Sequence, residues 1–68
     1  MSRKIQVSST YQLTLEHTTF PGGGAPCIAL VMHFMGGIEP VERGRLRFSM
    51  RAIPEILEAL EEVWIAAR

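Results

Sequence analysis

Odd and even positions alternate in character along the first part of the chain. Ile5, Val7, Tyr11, Leu13 and Leu15 are odd-numbered, while Lys4, Gln6, Gln12, Thr14 and Glu16 fill the even slots. An alternation of apolar and polar residues with period two predicts strand with one face buried. The parity is held across Ser8-Ser9-Thr10. Two arrangements preserve it. One is a single long strand bent at the serines. The other is a hairpin with a three-residue turn, which sets Val7 opposite Tyr11. A two-residue turn would flip every side chain to the other face, so it is disfavoured.

Phe20-Pro-Gly-Gly-Gly-Ala-Pro26 breaks the pattern. Its glycines tolerate positive φ and its prolines cannot donate to a ladder, so a hairpin loop is expected. A phosphate-binding role fails on context, because neither a helix nor a Lys-Ser/Thr pair follows. Cys27 to Met35 is apolar on both sides, the mark of a central strand. Its larger set, Ile28, Leu30, Met32 and Phe34, is expected to face a helix. The smaller set, Cys27, Ala29, Val31, His33 and Met35, is then expected to face a dimer partner or a ligand, since an apolar strip of this length avoids bulk water.

Gly36 to Gly44 reads as the second loop, with the last strand beginning at Gly44. Arg45 and Arg47 point one way, and Leu46, Phe48 and Met50 the other. The period then lengthens. Ile56, Leu57, Leu60, Val63, Trp64 and Ala67 fall on one side of a helix. Pro54 suits a first helical turn and disfavours helical angles at Ile53, which puts the start near Pro54. Ser49 could instead cap a short preceding turn. Ile65 sits among the glutamates. The apolar stripe is wide enough to meet both its own sheet and a second subunit. The expected fold is α+β: a β-β-β-β-α antiparallel sheet in one domain, residues 1–68, with the C-terminal helix packed on one face.

A chain of 68 residues buries only about 60% of its unfolded surface and is marginal alone. Cys27 is the only cysteine, so no intrachain disulfide can help. Yet 47% of residues are hydrophobic. A homodimer through Leu57, Leu60, Val63 and Trp64 is the simplest resolution. A lone thiol fits a reducing compartment. No signal-peptide pattern follows the basic Met1-Ser-Arg-Lys, and no apolar run reaches the ~20 residues of a membrane span. A cytoplasmic or nucleoid-associated protein without membrane association is expected.

Formal net charge is zero, which on totals argues against a strongly electrostatic nucleic-acid binder. The distribution differs from the total. Glu55, Glu58, Glu61 and Glu62 lie on the helix, whereas Arg43, Arg45, Arg47 and Arg51 cluster around the strand before it. Nothing supports catalysis, a cofactor or a metal. Cys27 and His33 share a face but stand ~20 Å apart along a strand, and the helix glutamates read as a solvated face. Arg45 and Arg47 raise two guanidinium groups from one face roughly 6.6 Å apart. With Lys4, Gln6, Gln12, Thr14 and His33 they form a candidate surface for a phosphate backbone and splayed bases.

The run Gly44-Arg-Leu-Arg-Phe-Ser-Met-Arg, followed by Ile-Pro-Glu-Ile-Leu-Glu-Ala-Leu-Glu-Glu-Val, resembles the last strand and helix of the PUR repeat, the purine-rich-element-binding family. In its order of elements the whole chain is also similar to the transcriptional positive-cofactor domain, which binds single-stranded DNA. The resemblance implies a strongly curved four-stranded sheet, a dimer or paired repeats with helices packed between the sheets, and single-stranded DNA or RNA on the outer faces, with a role in regulating transcription. It carries Arg45 and Arg47 onto the basic last strand, with Lys4, Gln6, Gln12 and Thr14 at outward positions. Two features depart from that pattern. The central strand ends Val31-Met-His-Phe-Met35 without Arg or Lys, and the first loop is Pro-Gly-Gly-Gly-Ala-Pro rather than basic. Both remove phosphate attraction. The alternative expectation is a homo-oligomeric assembly module that uses the Ala29/Val31/Met35 side of the central strand.

Overall fold

The computed structural model describes residues 1–68. Four strands form one antiparallel sheet in the order β1-β2-β3-β4, with bounds β1 Ser2–Gln6, β2 Tyr11–Thr19, β3 Pro26–Phe34 and β4 Val41–Ser49. A single 3-10 turn, Met50–Ala52, leads into the helix α1, Ile53–Ala67. Every connection within the sheet is a hairpin, so each strand pairs with its neighbour in sequence.

The alternation of the first segment resolves as the hairpin. Gln6 pairs with Gln12, and the Val7 amide donates to the Tyr11 carbonyl at 3.1 Å. Ser8 holds the turn: its hydroxyl accepts from the Thr10 amide at 3.3 Å and the Tyr11 amide at 3.1 Å. The second hairpin turns on Gly22 and Gly23, with φ of 84° and 76°. Side chains other than glycine rarely adopt those angles.

Cross-strand partners share a face. Ile5, Leu13, Leu15, Ile28, Leu30 and Phe48 therefore lie on one side, and α1 leans over that side. The larger set of β3 lies on the helix side as expected, with Ile28 and Leu30 beside α1 and Met32 and Phe34 beyond its reach. The smaller set behaves otherwise. Cys27, Ala29 and Val31 face away from α1 and are fully buried within the single chain, so they wait for neither a dimer partner nor a ligand. The neighbours of this row explain the difference. Thr14 and Arg45 flank Val31, Glu16 and Arg47 flank Ala29, and Thr18 and Ser49 flank Cys27. On a one-layer sheet, the stems of long polar side chains such as Glu16, Arg45 and Arg47 fold over short apolar ones, which accounts for Ala29 and Val31; the short Thr18 and Ser49 beside Cys27 have no such stem.

One boundary differs from expectation, and two details at the helix start are now fixed. β4 begins at Val41, not Gly44, because Val41 and Glu42 still pair with Phe34 and His33. The helix begins at Ile53, with Pro54 in its first turn. Ser49 occupies the capping position of the 3-10 turn but makes no side-chain cap bond.

The apolar side is unfinished. No helix residue is buried, and α1 approaches closely mainly the 3-10 turn that leads into it. A trough of about 510 Å³ lies between helix and sheet. The radius of gyration is 13.8 Å, against about 11 Å for a compact domain of this length. Accessible surface is 5480 Å², against about 4,300 Å² for a folded monomer of this mass.

Candidate nucleic-acid interface

The face opposite α1 is a grid set by the register. One row crosses all four strands as Lys4, Thr14, Val31 and Arg45. The row on one side of it is Gln6, Gln12, His33 and Glu42, and on the other Ser2, Glu16, Ala29 and Arg47. All seven sequence-predicted residues, Lys4, Gln6, Gln12, Thr14, His33, Arg45 and Arg47, fall in these three adjacent rows. Cations stand on both edge strands, about 14 Å apart across three strand spacings. Between Lys4 and Arg45 run the small side chains of Thr14 and Val31.

Not all seven are free to meet a ligand. Thr14 is buried and does not belong to the contact surface. Gln6 Nε2 donates to the Ser8 carbonyl, so its amide braces the hairpin turn. His33 is half-buried opposite Glu42. Lys4 and Arg47 are exposed and have no ion-pair partner.

Arg45 is engaged by Glu42. Its Nη2 donates to Oε1 at 2.9 Å and its Nε to Oε2 at 3.5 Å. That hydrogen-bonded pair lowers the Glu42 carboxyl below its ordinary value, with His33 and Arg47 assisting, and raises the Arg45 guanidinium. Glu16 adds a further attraction to Arg45. Over the three rows, Lys4, Arg45 and Arg47 oppose Glu16 and Glu42, so the face is net +1 with histidine neutral.

Sequence reasoning missed the Glu42–Arg45 pair for a definite reason. Residues three apart on a regular strand point to opposite faces. Here the register slips between Met32 and His33, so β4 advances from Gly44 to Glu42 while β3 advances by one. Arg43 is the extra residue of this bulge, and the bulge returns Glu42 to the face of Arg45. Arg43 itself lies 5.6 Å over the Phe34 ring, which meets Tyr11 edge-on at 5.4 Å. The signal available in the sequence is the Gly44 that follows Arg43, since glycine inside a strand pattern marks a bulge.

Charge divides by element across the chain. Residues 1–52 hold six Lys and Arg against Glu16, Glu39 and Glu42, a net of +3. Residues 53–68 hold four glutamates against Arg68, a net of −3. The sheet is therefore the cationic half of a neutral molecule. No group of His, Cys, Asp or Glu side chains is placed to hold a metal ion. No helix is long and apolar enough to cross a membrane. Compared with family models, curated proteins and solved structures, the chain finds no match.

Proposed function

We propose that the chain is a homodimeric protein that binds single-stranded nucleic acid, DNA or RNA, on the sheet face opposite α1, with regulation of transcription as the role implied by its resemblance to the PUR and positive-cofactor domains. One observation carries the reading: Lys4, Arg45 and Arg47 stand in adjacent rows of a single face, on the two edge strands. Cations so placed follow a phosphate backbone laid across the strands, and Gln12 and His33 offer hydrogen bonds to base edges beside it. The +3 balance of the sheet half supports the same direction of approach. Few cations are involved, so the binding is weak and falls with salt.

A labelled single-stranded oligonucleotide, titrated at low salt with wild type beside Arg45→Ala/Arg47→Ala, tests the reading. Wild type is expected to bind and the double variant to lose most of that binding while keeping its oligomeric state. A flat wild-type titration at about 50 mM salt removes the reading.

A second reading, an assembly module without nucleic-acid binding, is favoured by one observation. Arg45 already has a carboxylate partner in Glu42, which leaves two unpaired cations on the face. That reading no longer rests on the Ala29/Val31 side, because both residues are buried. Its docking surface is the open trough and helix on the other side. The oligonucleotide titration and light scattering together separate the two: the module gives a flat titration and forms a stable complex or higher oligomer without nucleic acid.

A further inference from the structure

The exposed stripe of α1 has a centre. At about 100° per residue, Ile53, Ile56, Leu57, Leu60, Val63, Trp64 and Ala67 all lie within about 60° of Leu60. Leu60 is also the middle residue of Ile53–Ala67. The stripe is therefore symmetric end to end about one side chain. Glu55, Glu58 and Glu62 fall on the back of the helix, so no carboxylate enters the stripe.

The two halves of the stripe meet different surroundings. Ile53, Ile56, Leu57 and Leu60 border the trough of about 510 Å³ between helix and sheet. Val63 and Trp64 lie beyond the trough and are 68% and 61% exposed. Trp64, the only tryptophan, is covered on its ring only by the Arg68 guanidinium, 4.6 Å away. The molecule thus has an unfilled apolar trough beside the first half of α1 and an uncovered indole on the second half.

We propose that two copies pair their α1 helices antiparallel about a twofold axis at Leu60, each placing Trp64 into the trough of the other. An antiparallel pair sets the second half of one helix along the first half of its partner. Positions equally far from Leu60 on opposite sides then meet, so Trp64 stands beside Ile56 of the partner subunit and Val63 beside Leu57 of the partner subunit. A parallel pair would set Trp64 against its own copy and leave both troughs empty. The protomer exposes about 1,200 Å² more than a folded monomer of its mass, and a stable interface covers about 800 Å² per partner. A second copy therefore covers about two-thirds of the surplus, and an indole, with its roughly 150–250 Å² of buried area, is a fitting centre for the contact. This inference rests on the homodimer of the proposed function and adds its axis and its anchor.

The single tryptophan reports the contact directly. On raising the concentration of the full chain through its dimerisation range, followed by light scattering, Trp64 emission is expected to shift to the blue and acrylamide quenching to fall. Trp64→Ala is expected to weaken dimerisation at least about 30-fold, the level of a buried hot spot, with circular dichroism checking the fold. Leu60→Cys, on the axis, is expected to form an interchain disulfide under oxidised glutathione, whereas Ile65→Cys, on the back of the helix, does not. A dimer in which Trp64 emission stays red, or in which the Ile65→Cys variant crosslinks and the Leu60→Cys variant does not, overturns the axis and anchor but leaves the dimer standing. A monomer at every concentration overturns both. If a lauryl detergent below its micellar concentration shifts the emission in a monomer, the trough belongs to an apolar ligand, which also overturns the proposal.

Discussion

Glu42→Gln separates the two roles that Arg45 can play. In the native chain the Glu42 carboxylate accepts two hydrogen bonds from the Arg45 guanidinium. A phosphate must break that arrangement before it can use Arg45, so only Lys4 and Arg47 are ready to neutralise backbone charge. For single strands the slope of log K against log salt is about −0.7 per neutralised phosphate. Two ready cations give a slope of about −1.4, which is about a sevenfold loss of affinity between about 50 and 200 mM salt. Glutamine keeps the size of the side chain and removes its charge. Arg45 then becomes the third ready cation, the face moves from net +1 to net +2, and the slope steepens to about −2.1. The same salt step now costs about 18-fold, from a higher starting affinity at the lower salt. Fluorescence anisotropy of a labelled oligonucleotide across a series of salt concentrations measures both quantities. If the variant binds more weakly than wild type at low salt, or if the slope stays fixed, Arg45 does not face the ligand and the proposed surface is wrong.

Two further predictions concern the fold itself. Val31→Ala removes two methyl groups from a fully buried site and is expected to lower stability by about 2 kcal/mol in urea unfolding; a loss under about 0.5 kcal/mol, the size of an ordinary surface change, would show that the row is not covered. The lowered Glu42 carboxyl links stability to pH. Its contribution is complete at neutral pH, fades below the ordinary value of 4.5 and is gone once pH has fallen through the depressed value. The difference in urea midpoint between wild type and Glu42→Gln is therefore expected at neutral pH and should vanish in acid; a difference that persists unchanged at about pH 2.5 rules out the ion pair as its source.

Much of the architecture is legible in the sequence because it depends on local rules. Parity along Lys4–Glu16 requires a face-preserving turn, and the three-residue turn at Ser8-Ser9-Thr10 follows from it. The change of period after Met50 predicts a helix, and Pro54 brings its start within a residue of Ile53. The same parity places Lys4, Gln12, Arg45 and Arg47 on one face without any knowledge of register. Two things are illegible, and both depend on partners distant in sequence. The burial of Ala29 and Val31 comes from neighbours on β2 and β4, which no periodicity within β3 reveals. The gap beneath α1 is illegible for a related reason: a wide apolar stripe states how much surface must be covered, not which chain covers it.

The bulge at Arg43 ties these features together. A β4 with unbroken alternation would carry Glu42 on the side of Leu46 and Phe48. There a carboxylate would stand opposite Phe34 and beside Met32, apolar neighbours that offer it no partner. One extra residue places Glu42 beside Arg45 and His33 in water, and leaves Arg43 to cover the Phe34 ring at the end of the sheet. It thereby keeps carboxylates off the apolar side of the strands and accepts a weaker cationic face in exchange. That division suits the proposed dimer, which needs the apolar side of the sheet free of carboxylates. The other face is left at net +1, a charge that fits the proposed weak, salt-sensitive contact.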